Sequence, residues 1–196
     1  AEDVIRNLNG LPMYLIHGKR DSVIDVKHTR RLAAELKKLK IDHVYKEMGG
    51  GHEFFSKLNT SVVKWLKSKR RKLRRTFRYF GPIGGPARII HWLQLTGSGR
   101  VTVTGRIIKR RRIIINIDKP ERLSKLTIHL HRKVFDVNRR AVDVVINGKA
   151  FHFRVRETAE AVLDSYDITR DLRRVFTAKL TLTKKSLKRL ESKRVR

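Results

Sequence analysis

The chain has 196 residues and no cysteine, so no disulfide staples it, and its length allows one large or two small domains. Its 48 Lys and Arg against 18 Asp and Glu give a net charge of +30. Such a field attracts polyanions but carries no specificity by itself. No apolar run is long enough to span a bilayer and no signal-peptide pattern is present. The first residue is Ala1, not Met, which suggests a fragment, a processed product or a mature subunit.

The charge is uneven. Residues 1–70 hold about 15 basic and 8 acidic side chains, and the remainder holds about 33 and 10. After a lead-in with a turn signal at Asn9-Gly10, the run Met13 to Ile16 reads as a strand at about 12–17. Asp21 to Asp25 is a loop and helix start. From Val26 to Leu39, the residues Val26, Leu32, Ala33, Leu36 and Leu39 fall on one helical face. Ile41 to Met48 reads as a second strand, and Phe54 to Leu66 as a helix with Phe55, Leu58, Val62, Trp65 and Leu66 in an apolar stripe. Strand, helix, strand, helix makes one crossover unit of a parallel sheet. Two parallel strands leave open edges, so the unit calls for further strands from a neighbouring segment or chain.

The run Lys67 to Arg75 marks a boundary, either a solvated helix end and linker or a nucleic-acid contact. Beyond it the pattern turns to period two. Ile89–Leu95, Arg100–Ile108, Arg111–Ile117, Lys125–His131, Ala141–Ile146, Phe151–Val155 and Phe176–Leu182 read as strands. Gly97-Ser98-Gly99 is a turn, and Asn147-Gly148 is a two-residue hairpin signal. Thr158 to Arg174 reads as a short helical insertion. Seven short antiparallel strands at this spacing predict a β-sandwich-like domain. The expected layout is an α/β segment over 1–70, a basic linker over 71–85, the β domain over 86–183 and a basic tail over 184–196.

Two residues stand out. Asp21 follows the first strand and His52 follows the second, after Gly49-Gly50-Gly51. Loops at the C-terminal ends of neighbouring parallel strands can bring such a pair together. A carboxylate then holds an imidazole in one tautomer, and the imidazole can move a proton for a serine. Asp21 also suits a helix N-cap, with Asp25 one turn further on as its competitor. His52 also suits a loop histidine under a helix start, although three glycines favour a tight turn that brings the ring to the sheet edge.

The stretch His17-Gly18-Lys19-Arg20-Asp21-Ser22-Val23, with Gly50-Gly51-His52 about thirty residues later, resembles the last third of an α/β-hydrolase. It is closest to the prolyl-oligopeptidase-like branch, whose pattern is His-Gly-x-x-Asp-x-x-Val followed by Gly-x-Gly-His or Gly-Gly-His. The resemblance implies that Asp21 and His52 are the acid and the histidine of a Ser–Asp–His triad, and that His17 is structural. It extends more loosely into a β domain appended in planctomycete-type relatives, through Ile90-His91-Trp92-Leu93, Ile115-Asn116-Ile117, Leu126 to Leu130 and Val145 to Lys149. The aromatic pair after the histidine is shifted by one, as Phe54-Phe55.

The nucleophile departs from that family. No serine sits in Gly-x-Ser-x-Gly; Ser98, within Thr96-Gly97-Ser98-Gly99-Arg100, lacks both outer glycines. In this triad order the serine precedes the acid, so it is expected upstream of residue 1, on the same product or on a partner chain. Elsewhere, His129 and His131 share a strand face but lack a third ligand, so no metal or cofactor is expected. Trp92 reads as core. Arg110-Arg111-Arg112 and the tail are candidate phosphate contacts without the interleaved aromatics of single-strand binders. Two functions follow: the C-terminal part of a serine hydrolase acting on an ester or peptide, or a non-catalytic basic module that docks on nucleic acid or acidic polysaccharide.

Overall fold

The computed structural model describes residues 5–8, 10–70, 72–85, 89–137 and 141–191. Asn9 of the expected turn, Arg71 of the basic run and residues 192–196 of the tail lie outside them. The protein is mixed α/β with mostly sheet, and it divides into two compact units, Ala1–Lys72 and Leu73–Arg196.

In the first unit, β1 (Met13–Gly18) and β2 (His43–Met48) pair in parallel, Met13 opposite His43 through to Gly18 opposite Met48. They form a two-stranded sheet. Between them runs α1 (Val26–Lys38), which buries Val26, Ala33 and Leu36. Asp25 caps it, its carboxylate accepting from Lys27 N at 2.8 Å, and Lys37 and Lys38 suit the negative end of the helix dipole. Arg30 ties α1 to β2 through a two-point contact with Glu47, which also accepts from the Tyr45 hydroxyl. The expected helix over 54–66 is instead a 3₁₀ turn (Ser56–Leu58) followed by α2 (Asn59–Ser68). Phe54 lies before both and is largely exposed. Trp65 of α2 packs edge-on against Tyr14 of β1. Since His17 reaches Thr29 of α1, β1 meets the two helices with alternate residues.

The second unit holds two sheets. The five-stranded sheet runs β10 (Lys149–Arg154), β9 (Ala141–Ile146), β7 (Arg112–Ile117), β6 (Arg100–Ile108), β3 (Thr76–Pro82). The four-stranded one runs β11 (Ala178–Thr183), β8 (Leu123–Leu130), β5 (Leu93–Gly97), β4 (Ile89–Ile90). Inward residues of both sheets, among them Val103, Ile113, Ile115, Leu126, Ile128 and Val144, join one apolar cluster with Trp92, Phe135 and Phe176. α3 (Ala159–Thr169), capped by the Thr158 hydroxyl, is held to the residue before β11 by Thr158 N to Thr177 O at 2.9 Å. α4 (Lys184–Glu191) follows β11.

Three expectations change. The linker over 71–85 contains β3, whose Phe77 and Tyr79 are buried while Arg78 between them is not. Ile89–Leu95 is not one strand but a tight hairpin, Ile90 pairing with Leu93. His91 turns it with a left-handed backbone, φ 59°, and Trp92 fills the core with its Nε1–H donated to Arg74 O at 3.0 Å. The strands are not all antiparallel, because β7 and β9 pair in parallel. The Asn147-Gly148 turn does form, with φ of 47° and 82° and Ile146 opposite Lys149. Among the described residues, no helix is long and apolar enough to cross a membrane.

Candidate active site

Past the ends of β1 and β2 the two loops stay zipped together. Lys19 N donates to Met48 O at 2.6 Å, Arg20 N to Gly50 O at 2.9 Å, and Arg20 Nε to Gly49 O at 2.7 Å. Gly18 is required by this close approach, since a Cβ there would lie 2.0 Å from Gly51 O. Gly49–Gly51, expected to let the chain turn tightly, lie in a bend, and none of the three has a positive φ. A Cβ would meet nothing at Gly49 and make an ordinary contact at Gly51, so the glycine whose bare backbone the close approach requires is Gly18 on the facing loop.

This geometry brings Asp21 and His52 together. Asp21 Oδ2 lies 3.0 Å from His52 Nδ1. Asp21 Oδ1 accepts from Val23 N and Ile24 N, both at 2.9 Å, so the carboxylate closes its own turn as well as facing the ring. The Asp21 side chain is 6% exposed and that of His52 is 55% exposed. The Ile24 N–H is the largest cause holding the Asp21 carboxyl at about 2; burial pushes the other way, and the His52 ring and Val23 N–H add to the lowering. The carboxylate is therefore charged at neutral pH and can only accept. His52 Nδ1 must carry the proton, and Nε2 presents a lone pair. His52 Nε2 has no hydrogen-bond partner among the described residues.

The two acids divide the roles that the sequence left open between them. Asp25 caps α1 and Asp21 meets the histidine. His17, read as structural, reaches the same carboxylate: its Nε2 is 3.3 Å from Asp21 Oδ2 and 2.9 Å from Ile24 O, and its Nδ1 is 2.6 Å from Thr29 Oγ1. Thr29 carries no signal in the sequence, because a hydroxyl on a helix is unremarkable until the strand beside it is known.

The other singled-out residues go elsewhere. His129 is buried, with Nε2 2.9 Å from Gln94 Oε1, while His131 follows the end of β8 and accepts from Lys133 N. Both rings pack against Phe176, and among the described residues no group of three His, Cys, Asp or Glu is placed to hold a metal ion. Arg110 donates to Arg132 O, which ties the β6–β7 turn to the loop after β8. Ser98 N donates to Arg122 O in the second unit. Compared with protein-family models, with curated proteins and with solved structures, the chain matches none.

Proposed function

We propose that this chain is the C-terminal part of a prolyl-oligopeptidase-like serine hydrolase, with Asp21 as triad acid and His52 as general base. The observation that carries this reading is the 3.0 Å contact between Asp21 Oδ2 and His52 Nδ1, just beyond the C-terminal ends of two adjacent parallel strands. The acid is buried and clamped by two backbone amides; the base is open to solvent with Nε2 able to accept. A serine held at Nε2 would lose its proton there on attacking an ester or peptide carbonyl. The imidazolium so formed would be stabilised by Asp21 and would protonate the leaving group. The serine and its oxyanion hole come from a further segment, in cis or in trans, whose strands extend the two-stranded sheet. The second unit is then an appended sandwich-like domain.

The test is to express the chain with the reading frame that precedes it and add a fluorophosphonate probe. Labelling of a serine in Gly-x-Ser-x-Gly, lost in His52→Gln, is expected. Absence of any labelled serine that depends on His52 overturns the reading.

A second reading is favoured by one arrangement of charge. In the five-stranded sheet the outward side chains include exposed Arg100, Arg106, Arg112 and Arg154, and none of the four has an ion pair or side-chain hydrogen bond with a described residue. Asp143, bonded to His152 at 2.7 Å, is the one acid among the outward positions of those strands. Five acids instead fall within residues 157–171, in and around α3. We infer that this sheet face docks on a polyanion, nucleic acid or acidic polysaccharide. With a single-stranded oligonucleotide as probe, neutralising four phosphates gives log K against log salt a slope of about −3. A slope near zero, or no binding at low salt, removes this reading.

A further inference from the structure

One polar side chain beside the Asp21–His52 contact has no part in the scheme above. The His17 ring is 10% exposed and sits at the end of β1, between α1 and the Asp21 turn. Its bonding fixes its tautomer. The Ile24 carbonyl, 2.9 Å away, can only accept, so Nε2 carries a proton. Nδ1 of the neutral ring is then an acceptor, and the Thr29 hydroxyl at 2.6 Å donates into it. The same Nε2 lies 3.3 Å from Asp21 Oδ2, a polar contact beside the bond to Ile24 O, and Oδ2 is the oxygen that receives His52 Nδ1–H.

Asp21 therefore has two amide donors on Oδ1, one ring donor on Oδ2 and the protonated edge of a second ring 3.3 Å from Oδ2. A carboxylate has about four lone-pair sites, so Oδ2 keeps capacity that faces that edge. In a chain with 48 Lys and Arg side chains, an under-bonded carboxylate is a target for stray cations. The nearest in sequence, Arg20, is held away by its bond to Gly49 O.

We propose that His17 is a positioning residue: oriented by Thr29 and the Ile24 carbonyl, it holds the positive Nε2–H edge of its ring 3.3 Å from Asp21 Oδ2, which favours that oxygen's orientation toward His52 Nδ1 and so keeps His52 in the tautomer whose Nε2 is free to accept. This rests on the acid–base reading of Asp21 and His52. Its consequence for tautomers can be measured without any nucleophile. It also links the placement of α1, through Thr29, to the state of a ring on the facing loop.

The experiment is two-bond ¹H–¹⁵N correlation NMR on the full chain labelled with ¹⁵N-histidine, at a pH where the rings are neutral. The parent should show His17 protonated on Nε2 and His52 mainly on Nδ1. His17→Leu removes the donor and Thr29→Val removes the group that orients it. Each should lower the Nδ1–H to Nε2–H ratio of His52 by roughly three- to tenfold, since a charge-assisted bond is weakened rather than lost. His17→Gln, whose amide nitrogen can occupy the place of Nε2, and Thr29→Ser, which keeps the hydroxyl, should restore the parent ratio. A His52 ratio unchanged in His17→Leu and Thr29→Val overturns the positioning role. So does a parent His17 protonated on Nδ1, a result that holds even if the variants fail to fold. A parent His52 protonated on Nε2 would instead sink the acid–base reading itself, so the two failures are told apart.

Discussion

Acidification should weaken the second unit through His129 well before its carboxylates protonate. The ring is 1% exposed, Nε2 is satisfied by Gln94, and buried Nδ1 has no partner among the described residues. Burial, and secondarily the Lys179 ammonium, lower its pKa from 6.5 to about 4, while Asp164 opposes weakly. Lys179 is itself held by Glu160 and Asp164. The unfolded chain therefore binds a proton that the folded chain refuses between these two values. Stability is fully present above pH 6.5 and falls as pH drops toward 4, by up to about 1.4 kcal/mol per pH unit. Between pH 8 and pH 5 the loss from this one ring is about 2 kcal/mol. The chain has two tryptophans, Trp65 and Trp92, and Trp92 lies in the core of the second unit. Urea unfolding followed by Trp92 fluorescence in a Trp65→Phe background isolates that unit. His91, lowered to about 4 chiefly by burial, and His131, lowered in the same direction by burial, steepen the parent curve. His129→Gln should flatten it by about 2 kcal/mol over the same interval, which isolates the single ring. Equal slopes in parent and variant between pH 6.5 and pH 5 would refute the reasoning. Glu157, held at about 2 first by Arg132 and then by Thr177, contributes stability that is lost only as pH falls from about 4.5 toward 2, outside this window.

Other expected outcomes are these. Gly18→Ala forces the two loops apart and should destabilise the first unit by about 1–3 kcal/mol, read as a loss of the Trp65 unfolding midpoint. Asn147→Ala removes both bonds to Ile117, accepted from its N–H at 2.7 Å and donated to its carbonyl at 2.9 Å, and should cost about 1–3 kcal/mol in urea unfolding of the second unit. Gly148→Ala, at φ 82°, should cost about 1–2 kcal/mol in the same assay. In a chain completed by its nucleophile, His52→Gln should lower kcat by about 10⁴-fold or more, with the circular dichroism of the folded state unchanged.

The parts of this molecule governed by local chemistry were legible in the sequence. Alternating burial placed β6, β7 and β9 within a residue or so, and the Asn147-Gly148 turn needed only its own dihedral preferences. The spacing of Val26, Ala33 and Leu36 gave α1. What was hidden depends on partners distant in sequence. β3 reads as a basic linker because its inward residues, Phe77 and Tyr79, are interleaved with arginine, and their pairing with Gly105 and Val103 of β6 is non-local. The His91 turn lacks Gly, Asn or Asp, so Ile-Ile-His-Trp-Leu looks like one strand; burial of Trp92 and stacking of His91 on Phe77 override the local preference. At the site, the motif put Asp21 and His52 on neighbouring loops. It gave no hint of the bare backbone that the approach demands at Gly18, nor of Thr29.

Asp21 and Asp25 offer a way to separate local structure from chemistry, because both accept backbone amides and only one meets a ring. Asp25→Ala removes the cap of α1. The helix end loses its bond to Lys27 N, so the thermal midpoint of the first unit should fall, while the His52 ring keeps its carboxylate partner and its tautomer. Asp21→Asn has the opposite signature. The amide oxygen of asparagine can still accept from Val23 N and Ile24 N, so the turn survives. At the position of Oδ2 there is now an NH₂ group, a donor facing His52 Nδ1 and His17 Nε2. His52 can meet it only by carrying its proton on Nε2, which blocks the atom that a serine hydroxyl would use. The variant should therefore fold with little loss of midpoint, show His52 in the Nε2–H tautomer and fail to support labelling of a nucleophile. If Asp25→Ala changed the His52 tautomer and Asp21→Asn left it alone, the carboxylate at residue 21 would be only a turn former, and the pair would have no claim to acid–base chemistry.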